Sequence, residues 1–287
     1  MHVSAESKKP YAADVLEQLR ADAEIVMARY PHPRSALLPM LHLVQAVDSY
    51  VTGRGVVFCA ELLGLTEAEV SGVASFYTQY KRHPNGEYTV GVCTNTLCAI
   101  MGGDLIFDRL SEHLGVGHDE TTEDGKITLE RLECNAACDY APVVMANWEF
   151  FDNQTPESAL GLVDDLTAGK DIHPTRGADT VCTFKQASRV LAGFPDGRAN
   201  EGVSAGPASL LGLKIAQQNG WRAPGDDDSG DQAAAESGDS APAASGDSAP
   251  AESALHPPQS SIDSPSKTGS GDTLPGLGDD GGKDESK

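Results

Sequence analysis

The sequence lacks the features of a membrane or secreted protein. No hydrophobic run reaches the roughly 20 residues that a membrane-spanning helix needs. The most apolar stretch, 36–47, is interrupted by a proline, a histidine and a glutamine. The N-terminal MHVSAESKKPY has no apolar segment behind its lysines, so it is not typical of a signal peptide. We therefore expect a cytoplasmic protein without direct membrane insertion.

Positive charge is scarce. The chain has 21 Lys and Arg residues against 43 Asp and Glu residues, a formal net charge of −22. Nucleic-acid binding depends on clustered Lys and Arg that neutralise phosphates, and an anionic membrane surface needs the same clusters. The excess of acidic residues therefore disfavours nucleic acids and anionic membrane surfaces as partners.

Common catalytic and nucleotide motifs are missing as well. The eight histidines form no H-x3-H or H-E-x-x-H pair, and no thioredoxin-type C-x-x-C is present to suggest a disulfide reductase. The single G-x-G-x-x-G match, at 276–281, follows Pro275 and contains two aspartates that would repel phosphates. We therefore assign no catalytic residue and expect no nucleotide cofactor on the chain itself.

Four of the six cysteines form two closely spaced pairs. Cys93 and Cys98 make a C-x4-C pair, and Cys134 and Cys138 make a C-x3-C pair. Each pair follows a segment rich in β-branched and apolar residues, so two loops are expected to converge at one end of a sheet. Four thiolates meeting there would bind a soft metal centre.

The spacing favours a [2Fe–2S] cluster among the possible centres. A structural zinc site commonly uses a tight C-x2-C turn, whereas two irons that each take two sulfurs suit the wider loops. Zinc and redox-active or unligated thiols remain alternatives. Structural disulfides are typical of small secreted chains and are disfavoured in a reducing compartment. The remaining cysteines, Cys59 and Cys182, are expected to be buried small apolar residues.

Residues 1–83 are expected to form a helical bundle. Apolar spacing predicts helices over 11–30, 35–50 and 57–63, with a fourth opened by a capping box at Thr66 and Glu69. Three side chains in this bundle carry further expectations. His42 is expected to be a surface or half-buried packing residue rather than a ligand. The aromatic pair Phe76 and Tyr77 is expected in the core, and contact with a partner or with the cluster domain is the alternative.

Residues 84–172 alternate strands with helices, which predicts an α+β or α/β domain. The expected order is a strand, the first cysteine loop, a helix over 103–114, a strand, the second cysteine loop, strands over 143–146 and 149–151, and a helix over 156–168. Thr155 is expected to cap the last helix, with Gly169 at its end. Trp148 is expected to be a packing anchor. Pro142 is either a cis proline that shapes the loop or an ordinary residue before a strand.

The remaining residues divide by composition. An extension at 173–224 is expected to contain short helices, including one over 207–221 that is a candidate to dock on a partner. The tail at 225–287 is rich in Gly, Ser, Ala, Pro and Asp and repeats SGDSAPA. It carries half of the net charge of −22. Such a tail cannot bury a core, so we expect it to be disordered and solvating.

Over residues 11–170 the chain resembles the E, or 24 kDa-type, subunit family of NADH–quinone oxidoreductase, respiratory complex I. The resemblance is carried by VASFYTQYKRHPNGEYTVGVCTNTLC and LECNAACDYAPVVMANWEFFD. The family pattern, C-x4-C then C-x3-C and a nearby A-P, is matched at every position. The resemblance implies an α+β fold, with the helical bundle followed by a thioredoxin-like [2Fe–2S] ferredoxin domain and then the disordered acidic tail. It also implies that Cys93 and Cys98 hold one iron and that Cys134 and Cys138 hold the other.

The resemblance implies an electron-transfer subunit of a translocase-type NADH–quinone oxidoreductase, not an enzyme by itself. One [2Fe–2S] cluster would exchange single electrons with FMN, and FMN and NADH would be bound by a flavin-bearing partner. Other peripheral-arm subunits would be further partners, on the cytoplasmic face of the inner membrane. The alternatives are the same module in a soluble NAD-linked hydrogenase or formate dehydrogenase diaphorase, and a zinc-stabilised interaction module.

The chain departs from the family between the second pair of cysteines. Many members carry Leu-Gly-Ala where this chain has Asn135, Ala136 and Ala137. The added Cβ is expected to shift the loop slightly or to change amide hydrogen bonds to sulfur, and with them the reduction potential.

Overall fold

The computed structural model describes residues 9–222, which lie within one compact unit. The expectations for the tail at 225–287 and for the glycine pattern at 276–281 lie outside the described residues. Within them the chain runs from a helical bundle to a sheet and then back to the bundle.

The N-terminal helices are α1 (Ala13–Met27), α2 (Leu37–Asp48), α3 (Gly53–Leu63) and α4 (Glu67–Phe76). All four confirm the helices predicted from apolar spacing, with shifted ends. α3 starts four residues early because the Thr52 side chain accepts the Gly55 N–H and caps the helix there. The capping box of Thr66 and Glu69 is confirmed, since both reciprocal hydrogen bonds are present.

Three side chains of the bundle differ from expectation, because their neighbours decide their burial more than their residue type does. His42 is only 7% exposed, because residues 40–45 are buried on every side of α2 and the ring of Tyr80 packs on the imidazole, with ring centroids 4.8 Å apart. Phe76 and Tyr77, expected in the core, are 79% and 45% exposed. The buried face of α4 is set by Val70 and Ala74, and a residue two positions beyond Ala74 points to the opposite side of a helix.

The sheet has five strands: β1 (Tyr88–Cys93), β2 (Glu120–Thr121), β3 (Ile127–Leu132), β4 (Val144–Ala146) and β5 (Glu149–Phe151). Their order is β2-β3-β1-β4-β5. β1 and β3 are parallel, and the other neighbours are antiparallel. Helices α6 (Gly103–Leu114) and α7 (Pro156–Thr167) share one apolar core with the strands. The predicted strands and helices are confirmed in their order, as is the cap at Thr155, but the two-residue strand β2 was not predicted.

The chain then returns to the bundle through α8 (Phe184–Leu191), which packs against α2. Phe184 is fully buried and its ring stacks on Trp148, which confirms that Trp148 packs as an anchor. Of the two remaining cysteines, Cys59 is buried as expected, whereas Cys182 is half-buried. The last helix, α9 (Leu211–Gln218), confirms a helix within the predicted 207–221 and leaves its large apolar side chains exposed.

Candidate metal centre

The two cysteine loops leave the same edge of the sheet. Cys93 is the last residue of β1 and is aligned with Leu132, the last residue of the parallel strand β3. Cys134 follows β3 by two residues, so both loops start from neighbouring carboxyl ends. Parallel register therefore explains why residues far apart in the sequence meet.

Each loop has a short helical turn that carries its second cysteine. Cys98 lies in α5 (Thr96–Ile100), which begins where the Asn95 side chain accepts the Thr96 N–H. Cys138 opens a single 3-10 turn that ends at Tyr140. Asn is favoured at such helix starts because its side-chain oxygen satisfies a free N–H group.

The four sulfurs form two pairs in electrostatic contact with each other. The Sγ atoms of Cys134 and Cys138 are 3.9 Å apart. Cys93 raises the pKa of its neighbour Cys98, and each of these two thiols also interacts electrostatically with Cys138 across the pairs. All four are free thiols. The structure thus brings together all four cysteines that the sequence singled out, and it places the other two, Cys59 and Cys182, elsewhere.

Two of the four thiols, Cys98 and Cys138, resist ionisation where they lie. Burial, followed by the neighbouring Cys93, raises the pKa of Cys98 to about 11. The adjacent Cys134 raises the pKa of Cys138. Thiolates gathered this closely repel one another, so a positively charged centre is needed to replace their protons. The site is therefore suited to a cationic metal centre.

The arrangement fits a two-iron core. Within residues 9–222, no three His, Cys, Asp or Glu side chains converge closely enough to hold one metal ion. A tetrahedral zinc would need all four sulfurs about 2.3 Å from one point. Two separate pairs instead match a core in which each of two irons takes two thiolates.

Main-chain groups act on two of these sulfurs. The Ala136 N–H donates to Cys134 Sγ at 3.3 Å. The main chain of Val143 lowers the pKa of Cys98 and partly offsets the effect of burial. The Val143 carbonyl also accepts the Cys93 N–H at 3.0 Å. Sequence reasoning missed Val143, since only its main chain acts; its place directly after Ala141 and Pro142 is the one available signal in the sequence.

Ala136 has a φ of +53°, in the left-handed region. This conformation costs an L-residue roughly 1–2 kcal/mol, and glycine adopts it freely. The backbone position gives a physical reason for the glycine that many family members carry. The alanine keeps the turn and its amide contact with sulfur, so the departure adds strain and leaves all four cysteines in place.

The two pairs differ in exposure. Cys93 and Cys98 are 2% and 4% exposed, whereas Cys134 and Cys138 are exposed at the surface. Around the buried pair, α5 and the start of α6 leave four apolar side chains in water: Leu97, Ile100, Met101 and Leu105. We refer to these four residues as the α5 patch.

The chain is similar to known proteins over this region. The family described as thioredoxin-like [2Fe-2S] ferredoxin matches residues 23–167. The chain is 64% identical over 217 residues to the E-type subunit of NADH-quinone oxidoreductase from Mycobacterium tuberculosis, covering 75% of this chain and 86% of that protein. It is 36% identical over 150 residues to the NADH-quinone oxidoreductase subunit 2 of Thermus thermophilus, covering 51% and 83%. Among solved structures, a NAD+-reducing [NiFe]-hydrogenase is 18% identical with a TM-score of 0.42, covering 46% of this chain and 23% of that one.

Proposed function

Because this chain belongs to the thioredoxin-like [2Fe-2S] ferredoxin family of NADH–quinone oxidoreductase E subunits, we propose that its four paired cysteines are the cluster ligands. Cys93 and Cys98 bind one iron, and Cys134 and Cys138 bind the other. The observation that carries this assignment is the pairing of four free thiols on two loops at one sheet edge. The chain is an electron-carrying subunit of an NADH–quinone oxidoreductase and holds one [2Fe–2S] cluster.

When bound, the cluster accepts and returns one electron at a time. The protein's own groups set how easily this happens. The Ala136 N–H donates to Cys134 Sγ, and the main chain of Val143 favours the ionised form of Cys98; both stabilise added negative charge, which raises the potential. The acidic chain, with a net charge of −22, acts in the opposite direction. Burial of Cys93 and Cys98 keeps water from one side of the site.

The proposed electron partner is the flavin- and NADH-binding subunit, with other peripheral-arm subunits around it. FMN and NADH bind to that partner, in keeping with the lack of a nucleotide motif in this chain. The α5 patch supports a protein interface here, since Ile100 is 78% exposed two residues from Cys98. Clustered apolar side chains of this kind mark surfaces that a partner covers.

The proposed location is peripheral, on the cytoplasmic face of the inner membrane. Within residues 9–222, no helix is long and apolar enough to cross a bilayer. Attachment would then come through the other subunits of the complex.

The composition of the anaerobically purified chain tests the proposal. Iron, zinc and acid-labile sulfide are assayed, and EPR spectra are recorded before and after dithionite. We expect about two irons and two sulfides per chain, with a signal only after reduction. Zinc without sulfide would instead indicate an interaction module that carries no electrons.

Ligand variants test the assignment residue by residue. Cys134→Ser is expected to abolish or strongly alter the EPR signal. The matched control is Cys59→Ser, at a buried thiol whose pKa burial raises to about 12 and which lies in the bundle core. The reverse pattern would overturn the ligand assignment.

The docking surface is tested by placing a charge on it. Ile100→Asp is expected to reduce co-purification of the flavin subunit while leaving iron and sulfide unchanged. Ile25→Asp is the control, because Ile25 is also exposed but lies on α1, away from the cysteine loops in sequence. Equal recovery of the flavin subunit with both variants would remove the α5 patch from the interface.

A further inference from the structure

The segment between α8 and α9 makes hydrogen bonds to the turn that carries Cys138. The Tyr140 hydroxyl accepts a hydrogen bond from the Ala208 N–H at 3.1 Å. The Ser209 hydroxyl donates to the Asp139 carboxylate. Asp139 and Tyr140 are the two residues after Cys138, and the Tyr140 N–H closes the turn on the Ala137 carbonyl at 3.0 Å. The segment therefore holds the turn from outside, while the turn's own hydrogen bond holds it from within.

At two positions this segment passes so close to other parts of the chain that only glycine fits. A Cβ on Gly206 would overlap the Tyr140 hydroxyl oxygen and lie 2.9 Å from its ring carbon Cζ. A Cβ on Gly202 would overlap the Gly177 carbonyl oxygen and lie 3.3 Å from its carbonyl carbon. Any larger residue at either position must push the segment away, so its path depends on both glycines.

Arg176 ties the same segment to the sheet. Its guanidinium makes two hydrogen bonds to Asp152, at 3.0 and 3.2 Å, and donates to the Ser204 carbonyl at 3.0 Å. It also lies over the rings of Phe150 and Tyr140, at 4.0 and 5.6 Å from their centroids. One largely buried cation thus joins β5, the Tyr140 ring and the segment. Planar guanidinium groups suit such combined stacking and paired hydrogen bonding.

We propose that residues 203–209, which we name the clamp, position Cys138 for the cluster. Through its hydrogen bonds to Tyr140 and Asp139, the clamp holds the turn that places the Cys138 thiolate next to its iron. It thereby slows cluster loss and sets the surroundings on which the potential depends. Gly206 and Tyr140 are its positioning residues. This inference rests on the proposed function, since Cys138 must be a ligand. The clamp lies beyond residue 167, where the family match ends.

Support from the clamp is expected to matter most for the exposed pair, Cys134 and Cys138. Short surface turns open more readily than buried strands, and a cluster is lost when a ligand turn opens. Cys134 and Cys138 are the exposed ligands, whereas Cys93 and Cys98 are buried. Losing the two clamp hydrogen bonds is expected to speed cluster loss about ten-fold. Groups that orient a ligand from behind also tune the metal, so the potential should move as well.

The test compares two glycine variants of the full chain. Gly206→Val drives a side chain into Tyr140. Gly212→Val is the control because, apart from its chain neighbours and the nearby backbone of its own helix, no atom of the described residues lies within 4 Å of the added Cβ. Cluster loss to an iron chelator is followed by visible absorbance, and the midpoint potential by EPR-monitored titration. We expect about ten-fold faster loss and a shifted potential for Gly206→Val only. Tyr140→Phe, which keeps the ring and removes the acceptor, is expected to move both readouts in the same direction by less.

Hydrogen exchange in the cluster-free full chain gives a readout that needs no metal. Amides at 138–141 are expected to exchange faster in Gly206→Val and Tyr140→Phe than in Gly212→Val. If the unaltered chain holds a cluster but loss, potential and exchange match in all variants, the clamp is overturned and the proposed function stands. If exchange responds but the unaltered chain binds no cluster, the proposed function fails, and with it the clamp's role towards a cluster.

Discussion

Single residues around the second cysteine pair combine strain with function. Ala136 has a left-handed backbone and directs its N–H at Cys134 Sγ. The chain reverses direction between Cys134 and Cys138. Directing the Ala136 N–H at sulfur within this turn requires the left-handed backbone, which is the source of the strain. Residues that tolerate this conformation will therefore hold the amide in place, and β-branched residues will not.

We expect Ala136→Val to destabilise the cysteine loop and to lower the iron and sulfide retained per chain, whereas Ala136→Gly retains the wild-type amount. A β-branched side chain at positive φ is a strong outlier, while glycine relieves strain of roughly 1 kcal/mol. Iron and sulfide assays after gel filtration measure the difference. Ala168→Val is the control, at an exposed residue with φ of −74°. Equal losses at both positions would contradict the backbone explanation.

His42 is a second residue whose surroundings decide its chemistry. Burial lowers its pKa from 6.5 to about 4, and its Nδ1 atom has no hydrogen-bond partner among the described residues. Between those pH values the unfolded chain binds a proton that the folded chain refuses. The folded state therefore loses stability as the pH falls from about 6.5 to about 4, by up to about 3 kcal/mol, and is unaffected above this window.

Replacing His42 with leucine should reduce this acid sensitivity. The difference in free energy of unfolding between about pH 7.5 and about pH 5 is expected to shrink by about 2 kcal/mol in His42→Leu. Urea denaturation at the two pH values measures it. His32→Leu, at an exposed histidine before α2, is expected to leave the difference unchanged. An unchanged difference in His42→Leu would show that other groups cause the acid sensitivity.

Among the elements, α8 joins the two halves of the described chain. The Phe184 N–H donates to the Glu87 carbonyl before β1, at 2.7 Å. At the other end, Arg189 makes two hydrogen bonds to Asp22 of α1. The capping box at Thr183 starts the helix at the sheet. An element from the extension, beyond the matched family region, thus completes the bundle core.

Phe184→Ala is expected to lower the free energy of unfolding by about 3–5 kcal/mol, because a fully buried ring leaves a cavity and its stacking on Trp148 is lost. Denaturant unfolding followed by circular dichroism measures the loss. On the same helix, Leu191→Ala removes an exposed side chain and should cost well under about 1 kcal/mol. Similar losses in both variants would contradict the bridging role.

For the whole molecule, charge is the dominant global property. The net charge of −22 is divided equally between residues 1–224 and the tail at 225–287. Acidic, low-hydrophobicity segments solvate a chain without contributing a core. The structural connections of the cysteine loops, the sheet and the bundle described above all lie within residues 9–222.

Removal of residues 225–287 is expected to leave cluster content, the EPR spectrum and co-purification with the flavin subunit unchanged. The reason is that every contact assigned to the site comes from residues that the truncated chain retains. Iron assay, EPR and affinity co-purification measure the three properties. Loss of the cluster or of the partner would assign the tail a role beyond solvation.

Local signals in the sequence determined most of the elements and singled out the four candidate cysteines. Capping boxes, prolines and apolar spacing act over three or four residues, so the ends of α4 and α7 were predictable. The two cysteine pairs were likewise visible from spacing. Tertiary structure alone decided which surfaces are covered. His42 is buried where the ring of Tyr80 packs against it, and Phe76 is exposed because no element within residues 9–222 covers that face of α4. Tertiary structure also decided that Gly206 lies against Tyr140 and that the main chain of Val143 acts on Cys98, because contacts between residues far apart in the sequence leave no local pattern in the residue types.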